Sequence, residues 1–282
     1  IGFFHRELGH LGRRLGAVWY HALPIRRRVV HGALERHFPA WRADRVSRVA
    51  AAVFANCASN VTTLLWATAE GRAPGDVLAR VRFEGLGGWE AVRDRGAVAA
   101  VTHTGNWDLA AVAASLRGIR LAAVSRNLAY APMDRTWSER RRRSGLEILD
   151  ESAGLGSIMD AAGPGRAIAV VTDQRTGPGE GGILVPFMGE PAWTSTLPAV
   201  VALRRRLPLL TVMSRTEEDG TLVVRIGPPA LPPDGGPVLE RIREITISLG
   251  QTLEAWIEAW PESWLWLHRR WDPPGAARSR PG

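Results

Sequence analysis

A histidine and an aspartate five positions apart, in Thr102-His103-Thr104-Gly105-Asn106-Trp107-Asp108, carry the clearest chemistry in this chain. A neutral imidazole takes a proton from a hydroxyl most readily when its second ring nitrogen donates to a carboxylate that fixes the tautomer. On that reading His103 is a general base and Asp108 its orienter, with no protein nucleophile. The other histidines, His5, His10, His21, His31, His37 and His268, have no acid at this offset. Spacing alone is weak, and position gives it weight. Residues 96–101 form a short apolar run of strand length, 107–117 carry a helical pattern, and Gly105-Asn106 is the turn between them. Asn106 is expected to cap the helix. Asp108 falls in the first turn, where the helix dipole and unpaired N–H groups favour a carboxylate.

Composition narrows the chemistry further. The 282 residues are 45% hydrophobic, enough for a sizeable core in one large domain or two small ones. The net charge of +8 predicts an acidic partner such as phosphate, anionic lipid, an acidic carrier protein or nucleic acid. All 36 basic residues are arginine, which excludes a Schiff-base lysine and a P-loop lysine. Cys57 is the single cysteine, so an internal disulfide, a cysteine metal cluster and a redox pair are excluded. A His-Glu-x-x-His zinc motif and a Gly-x-Ser-x-Gly nucleophile elbow are both absent, and no metal is expected. No run of 18 apolar residues occurs.

The elements that must position the pair follow from periodicity. Residues 3–20 are amphipathic, with Phe4, Leu8, Leu11, Leu15, Val18 and Trp19 on one face and Arg6, His10 and Arg13 opposite, suited either to an anionic membrane or to packing on the protein. Arg26-Arg27-Arg28 follows Pro24 at a helix start, and 43–70 reads as one long helix. Together these make residues 1–80 a helical N-terminal segment, a membrane-associating one on the first of those two readings. From Val81 strands and helices alternate, with strands at 97–102, 120–125, 146–149, 167–172, 183–187, 208–214 and 221–226 and helices at 107–117, 132–144, 155–162, 193–206 and 238–260. This pattern predicts an α/β fold over 81–271, a mostly parallel sheet flanked by helices, with its site at the strand C-terminal ends where His103 and Asp173 fall. Residues 272–282, rich in Pro, Gly and Arg, read as a flexible tail.

Other residues join the candidate site. Arg126 ends a strand and suits a phosphate clamp, and Arg140 to Arg143 form a basic run in which at least two members read as a solvated helix face. Asp173, at a strand end, is taken either as a partner for a substrate hydroxyl or as a supporting carboxylate behind the groups that touch substrate, and Asn106 as a contact at the helix start. The segment from Trp256 to Trp271 combines tryptophan and arginine, which suits a membrane interface or stacking on nucleic acid, while core packing is expected for about half of its tryptophans.

These residues resemble a known family. His-Thr-Gly-Asn-Trp-Asp-Leu at 103–109 is similar to the His-x4-Asp/Glu motif of glycerolipid acyltransferases, in the form found in the late acyltransferases of lipid A biosynthesis and the phosphatidylinositol mannoside acyltransferases. Ser125-Arg126-Asn127, Asp173-Gln174, Val185-Pro186-Phe187-Met188-Gly189 and Pro261 to Trp271 match in order, the last being close to the ending of the lipid A enzymes. The resemblance runs from about residue 10 to 271. It implies a membrane-associated transfer of a fatty acyl chain from an acyl carrier protein or coenzyme A thioester to a hydroxyl of a glycolipid, a lipid A precursor foremost, with no cofactor. His103 would be the base, Asp108 its orienter, and Arg126, Asp173, Arg143 and Asn106 substrate-site residues. The implied place is the cytoplasmic face of a bacterial inner membrane, held peripherally or by a segment before residue 1. Asp108 and Thr104 depart from the Glu and Phe common in lipid A enzymes, which leaves a mannoside or an aminolipid open as acceptor. Nucleic acid is not an expected partner, and a basic nucleic-acid-binding protein is the non-enzyme alternative.

Overall fold

The computed structural model describes residues 2–23, 25–125 and 131–272. Arg126 and the 273–282 part of the tail lie outside them. Four helices come first, α1 (Gly2–Ala22), α2 (Arg27–His37), α3 (Ala43–Ala67) and α4 (Pro74–Leu78). Then follow β1 (Val81–Glu84), α5 (Leu86–Glu90), β2 (Ala97–Val101), α6 (Trp107–Leu116), β3 (Arg120–Ser125), α7 (Ala131–Arg143), β4 (Glu147–Asp150), α8 (Gly154–Ala161) and β5 (Arg166–Val171). The chain continues through β6 (Gly182–Phe187), β7 (Glu190–Ser195), α9 (Leu197–Arg205), β8 (Leu209–Thr216), β9 (Leu222–Ile226) and α10 (Val238–Ala259).

Seven strands form one sheet in the order β1-β9-β8-β2-β5-β3-β4, parallel except for β8 against β9. Helices cover both faces, which is why its central strands read as unbroken apolar runs. One face packs Val98, Ile168, Val170 and Leu209 under α8, α9 and α10. The other packs Ala99, Leu121, Ala169 and Leu210 against Trp89, with Ala111 and Ala114 of α6 alongside.

Two expectations change. Residues 183–187 do not enter the main sheet, because β6 pairs with β7 in a separate hairpin. Its two-residue turn, Met188-Gly189, has φ of 51° and 78°, the positive pair of a type I′ turn. The helix expected from 193 therefore begins only at Leu197, and Trp193 to Ser195 belong to the strand.

The helix expected over 43–70 is α3, and by length and composition alone it could cross a bilayer. In the fold it is a packing helix: Val46, Ala50, Val53 and Phe54 are buried, and Asn56, Asn60 and Thr63 bond inward. Cys57 packs on the same core, and burial pushes its thiol up to about 12, so it is a small core residue and not a thiolate. Helix α1 meets α3 through glycine. A Cβ on Gly12 would fall 2.4 Å from the Ser59 Cα, and one on Gly16 would fall 2.5 Å from the Ala55 Cα. This contact turns Leu11, Leu15 and Val18 outward, 46%, 50% and 57% exposed. The expected stripe is thus divided: Leu11, Leu15 and Val18 face away from the protein, while Leu8 and Trp19 pack on its core.

Candidate active site

The register of β2 with β5 sets the site. Val101 pairs with Val171, and Thr172 N–H donates to the Val101 carbonyl at 3.0 Å, which brings the residues two places beyond, His103 and Asp173, side by side at the sheet's C-terminal rim. His103 Nδ1 lies 2.8 Å from Asp173 Oδ1, and the His103 backbone N–H donates to Oδ2 at 2.8 Å. A third donor, the Trp264 indole N–H, reaches Oδ2 at 2.8 Å. Burial alone would push the Asp173 carboxyl up, but the His103 charge and these hydrogen bonds together hold it below the usual carboxylate range. An ionised Asp173 requires the proton of a neutral His103 to sit on Nδ1, and this leaves Nε2 as the bare nitrogen. The Gln174 carboxamide nitrogen lies 3.3 Å from Nε2. The Trp107 ring stands edge-on to the imidazole, with centroids 4.7 Å apart at 77°.

The turn that presents His103 is locked on all sides. Ser214 N–H and Oγ–H donate to the Thr104 hydroxyl and carbonyl at 3.0 and 2.6 Å. Gly105 has φ of 53° and sits so close to Ser214 that a Cβ would meet its backbone at 2.6 Å, so only glycine fits. The Gly105 carbonyl accepts from Asn60 of α3. Asn106 caps α6 as expected, accepting the Leu109 N–H at 3.0 Å, and its amide donates to the Thr63 hydroxyl at 2.8 Å. Asn106 is 2% exposed, and its side chain is hydrogen-bonded to the Leu109 N–H, the Thr63 hydroxyl and the Asn60 carbonyl.

Asp108 is not the imidazole's partner. Its carboxylate accepts from the Trp137 indole at 3.2 Å and pairs with Arg141, both on α7. The physical reason is the helix start: with the turn locked and Trp107 over the imidazole, the next side chain along α6 faces α7. Arg143 also departs from expectation. It pairs with Glu139 on the surface, 60% exposed, whereas Arg141 is the member of the basic run that reaches the site. Sequence reasoning missed the Trp264 contact altogether and left Asp173 between a substrate hydroxyl and a supporting place behind the site, without pairing it to His103. The matched apolar runs before His103 and Asp173 were the available signal.

A cavity of about 590 Å³ opens at His103, within the usual range for a small-molecule site. Trp107, Asp108, Trp137, Arg141, Gln174 and Arg175 stand with His103 among its lining residues. It continues along the sheet face beneath α6, where Ala99, Ala123, Ala167 and Ala169 face Ala110, Ala111 and Ala114. These alanines hollow it out, since larger side chains there would close the space between helix and sheet. From His103 back to Ala99 in β2 is four residues, about 13 Å at strand rise. The cavity is therefore long and apolar, with its polar groups gathered at the histidine end.

Behind Asp173 lies the C-terminal segment. Arg270 is 1% exposed and donates to the carbonyls of Trp193 and Gln174 and, at 2.6 Å, to the Thr194 hydroxyl. Burial lowers it to about 10, so it stays charged at neutral pH. His268 is lowered by burial to about 4 and is neutral there. Trp256, Trp264 and Trp266 are buried in the core, as expected for part of this run. No cluster of three or more metal-ligating side chains occurs among the described residues.

No individual curated protein matches the chain. The family model for the bacterial lipid A biosynthesis acyltransferase matches residues 5–272, and a match of this extent makes the chain a member of that family of acyltransferases.

Proposed function

We propose that His103 is the general base for transfer of a fatty acyl group from a thioester to a hydroxyl of a lipid acceptor. One observation carries the reading: an imidazole whose Nδ1 is tied to a buried carboxylate stands at the polar end of a long apolar cavity. In this reaction Nε2 takes the acceptor's hydroxyl proton, and the oxygen attacks the thioester carbonyl. The tetrahedral oxyanion collapses, the carbon–sulfur bond breaks, and the leaving thiolate recovers the proton from Nε2. Asp173 stabilises the imidazolium formed between the two transfers, the part earlier given to Asp108. Asp108 instead steers Arg141 into the cavity wall. The Gln174 carboxamide supplies a donor beside Nε2 for the developing oxyanion. The alanine-lined space takes the acyl chain.

The donor is an acyl carrier protein or coenzyme A thioester, and the acceptor is a glycolipid, a lipid A precursor foremost. Attachment is to a membrane, taken as the cytoplasmic face of the inner membrane from the family resemblance; its support in the fold is that Leu11, Leu15 and Val18 of α1 are exposed together and that Arg14, Arg26 and Arg28 are exposed. The test offers both thioesters to the protein with lipid extracts and reads the products by mass spectrometry. Wild type is expected to add one acyl mass to an acceptor lipid, and folded His103→Ala to add none. Transfer by His103→Ala at the wild-type rate would overturn the assignment.

A further inference from the structure

We propose that Trp264 is a positioning residue for the base: its indole N–H holds the Asp173 carboxylate at the angle from which Oδ1 meets His103. The proposal rests on the reading of His103 as base, and it concerns a tryptophan whose indole N–H donates to the dyad carboxylate.

The geometry is specific. A carboxylate turns easily about its last bond, and Oδ2 is fixed by two donors, the His103 backbone N–H and the Trp264 indole. The backbone donor belongs to the residue being oriented, so it cannot by itself set the angle between carboxylate and ring. Trp264 supplies the second, independent point. Its ring is 3% exposed and is gripped edge-on by Trp266 and Phe187, with centroids 4.7 and 5.7 Å away.

The main chain of the same segment holds the other partner. Gly105 N–H donates to the Ser263 carbonyl at 2.8 Å, Leu265 N–H donates to the His103 carbonyl at 3.0 Å, and Thr104 and Trp264 form a β-bridge. One short stretch thus clamps His103 through its backbone and Asp173 through a side chain. Errors of about 1 Å in such groups cost about a hundredfold in rate.

The experiment replaces Trp264 by 3-benzothienylalanine, which keeps the fused ring and puts sulfur in place of the N–H. Trp264→Phe serves as the encoded companion. The expected result is a fall in kcat of about tenfold, the size of one hydrogen bond to a charged group, with KM held within about twofold. In an Asp173→Ala background the same replacement is expected to change kcat by less than about twofold, because the group it acts through is gone. The downfield proton resonance of His103 Nδ1–H, read by NMR without substrate, is expected to broaden in the variant. Equal losses in both backgrounds would overturn the proposal by giving Trp264 a packing role, and so would an unchanged resonance. Failure of wild type to transfer any acyl group would defeat the functional reading, while the resonance would still decide whether the indole sets the dyad.

Discussion

Replacing Asp173 by asparagine inverts the imidazole without changing the shape of the site. Oδ2 accepts two N–H groups, from His103 and Trp264, each at 2.8 Å. An asparagine in the same pose must keep its carbonyl oxygen against those donors, and its NH₂ then faces Nδ1. The ring is forced to accept at Nδ1 and to carry its proton on Nε2, the nitrogen that has to be bare. Loss of a hydrogen bond between charged groups costs about 1.5–3 kcal/mol, or roughly 10- to 150-fold in rate. The inverted tautomer multiplies this, and in a Ser-His-Asp triad the corresponding change lowers kcat by about 10⁴. We expect Asp173→Asn to lower kcat by about 10³ to 10⁴. Alanine at this position has no amide to impose a tautomer and carries only the first cost, so Asp173→Ala is expected to be the faster of the two. Thiol release from the acyl thioester in the presence of acceptor lipid measures both, with thermal unfolding followed alongside to show that each is folded. An asparagine variant as fast as the alanine one would refute the orientation argument, and one within about tenfold of wild type would refute the dyad.

Three further outcomes follow from other parts of the fold. His268 is held at about 4 against an unfolded value of about 6.5, so the unfolded chain takes up this proton first. Stability is therefore complete above about 6.5 and falls by up to roughly 3 kcal/mol toward pH 4. Urea midpoints for His268→Gln should lose that share of the slope, and an identical slope would count against the burial argument. Serine at Leu11, Leu15 and Val18 together should weaken binding to anionic vesicles by roughly a hundredfold, at about 1 kcal/mol for each half-exposed side chain, and unchanged sedimentation with vesicles would remove α1 from the membrane contact. Ala99→Leu fills part of the alanine-lined space, so products should shift to shorter acyl chains in the mass spectrum; an unchanged chain profile at full rate would mean the acyl group lies elsewhere.

Much of this arrangement was legible in the sequence, and the errors have a common cause. The strand-turn-helix around His103 could be read from 96 to 117 because every signal in it is local: an apolar run, a glycine with positive φ, a capping asparagine. The partner of the imidazole could not be read that way, because it lies 70 residues away. Ala97 to Val101 with Thr102-His103, and Ala167 to Val171 with Thr172-Asp173, are two copies of one pattern, each ending in a titratable side chain two places past the strand. Had β2 and β5 been known to be neighbours, the pair would have followed from the register alone. Chain order gives no such hint, since β5 inserts between β2 and β3, which are consecutive along the chain. A carboxylate five residues away was the nearer choice, and the locked turn directs it to α7 instead.

The same distinction decides what α1 does. Its sequence carries two stripes, an apolar one at Leu11, Leu15 and Val18 and a small one at Gly12 and Gly16. Area buried would favour packing the larger side chains against the protein. The glycines win because they allow the backbone of α1 to come within contact of the α3 backbone, where any Cβ would collide with Ser59 or Ala55. Close approach lets many weak dispersion contacts form along both helices and leaves Leu11, Leu15 and Val18 about half exposed, while Leu8 and Trp19 still pack on the core. Glycines at the α3 contact, with Leu11, Leu15 and Val18 turned to the outside, are what the proposed membrane contact of α1 rests on, and the vesicle experiment with serine at those three positions decides it.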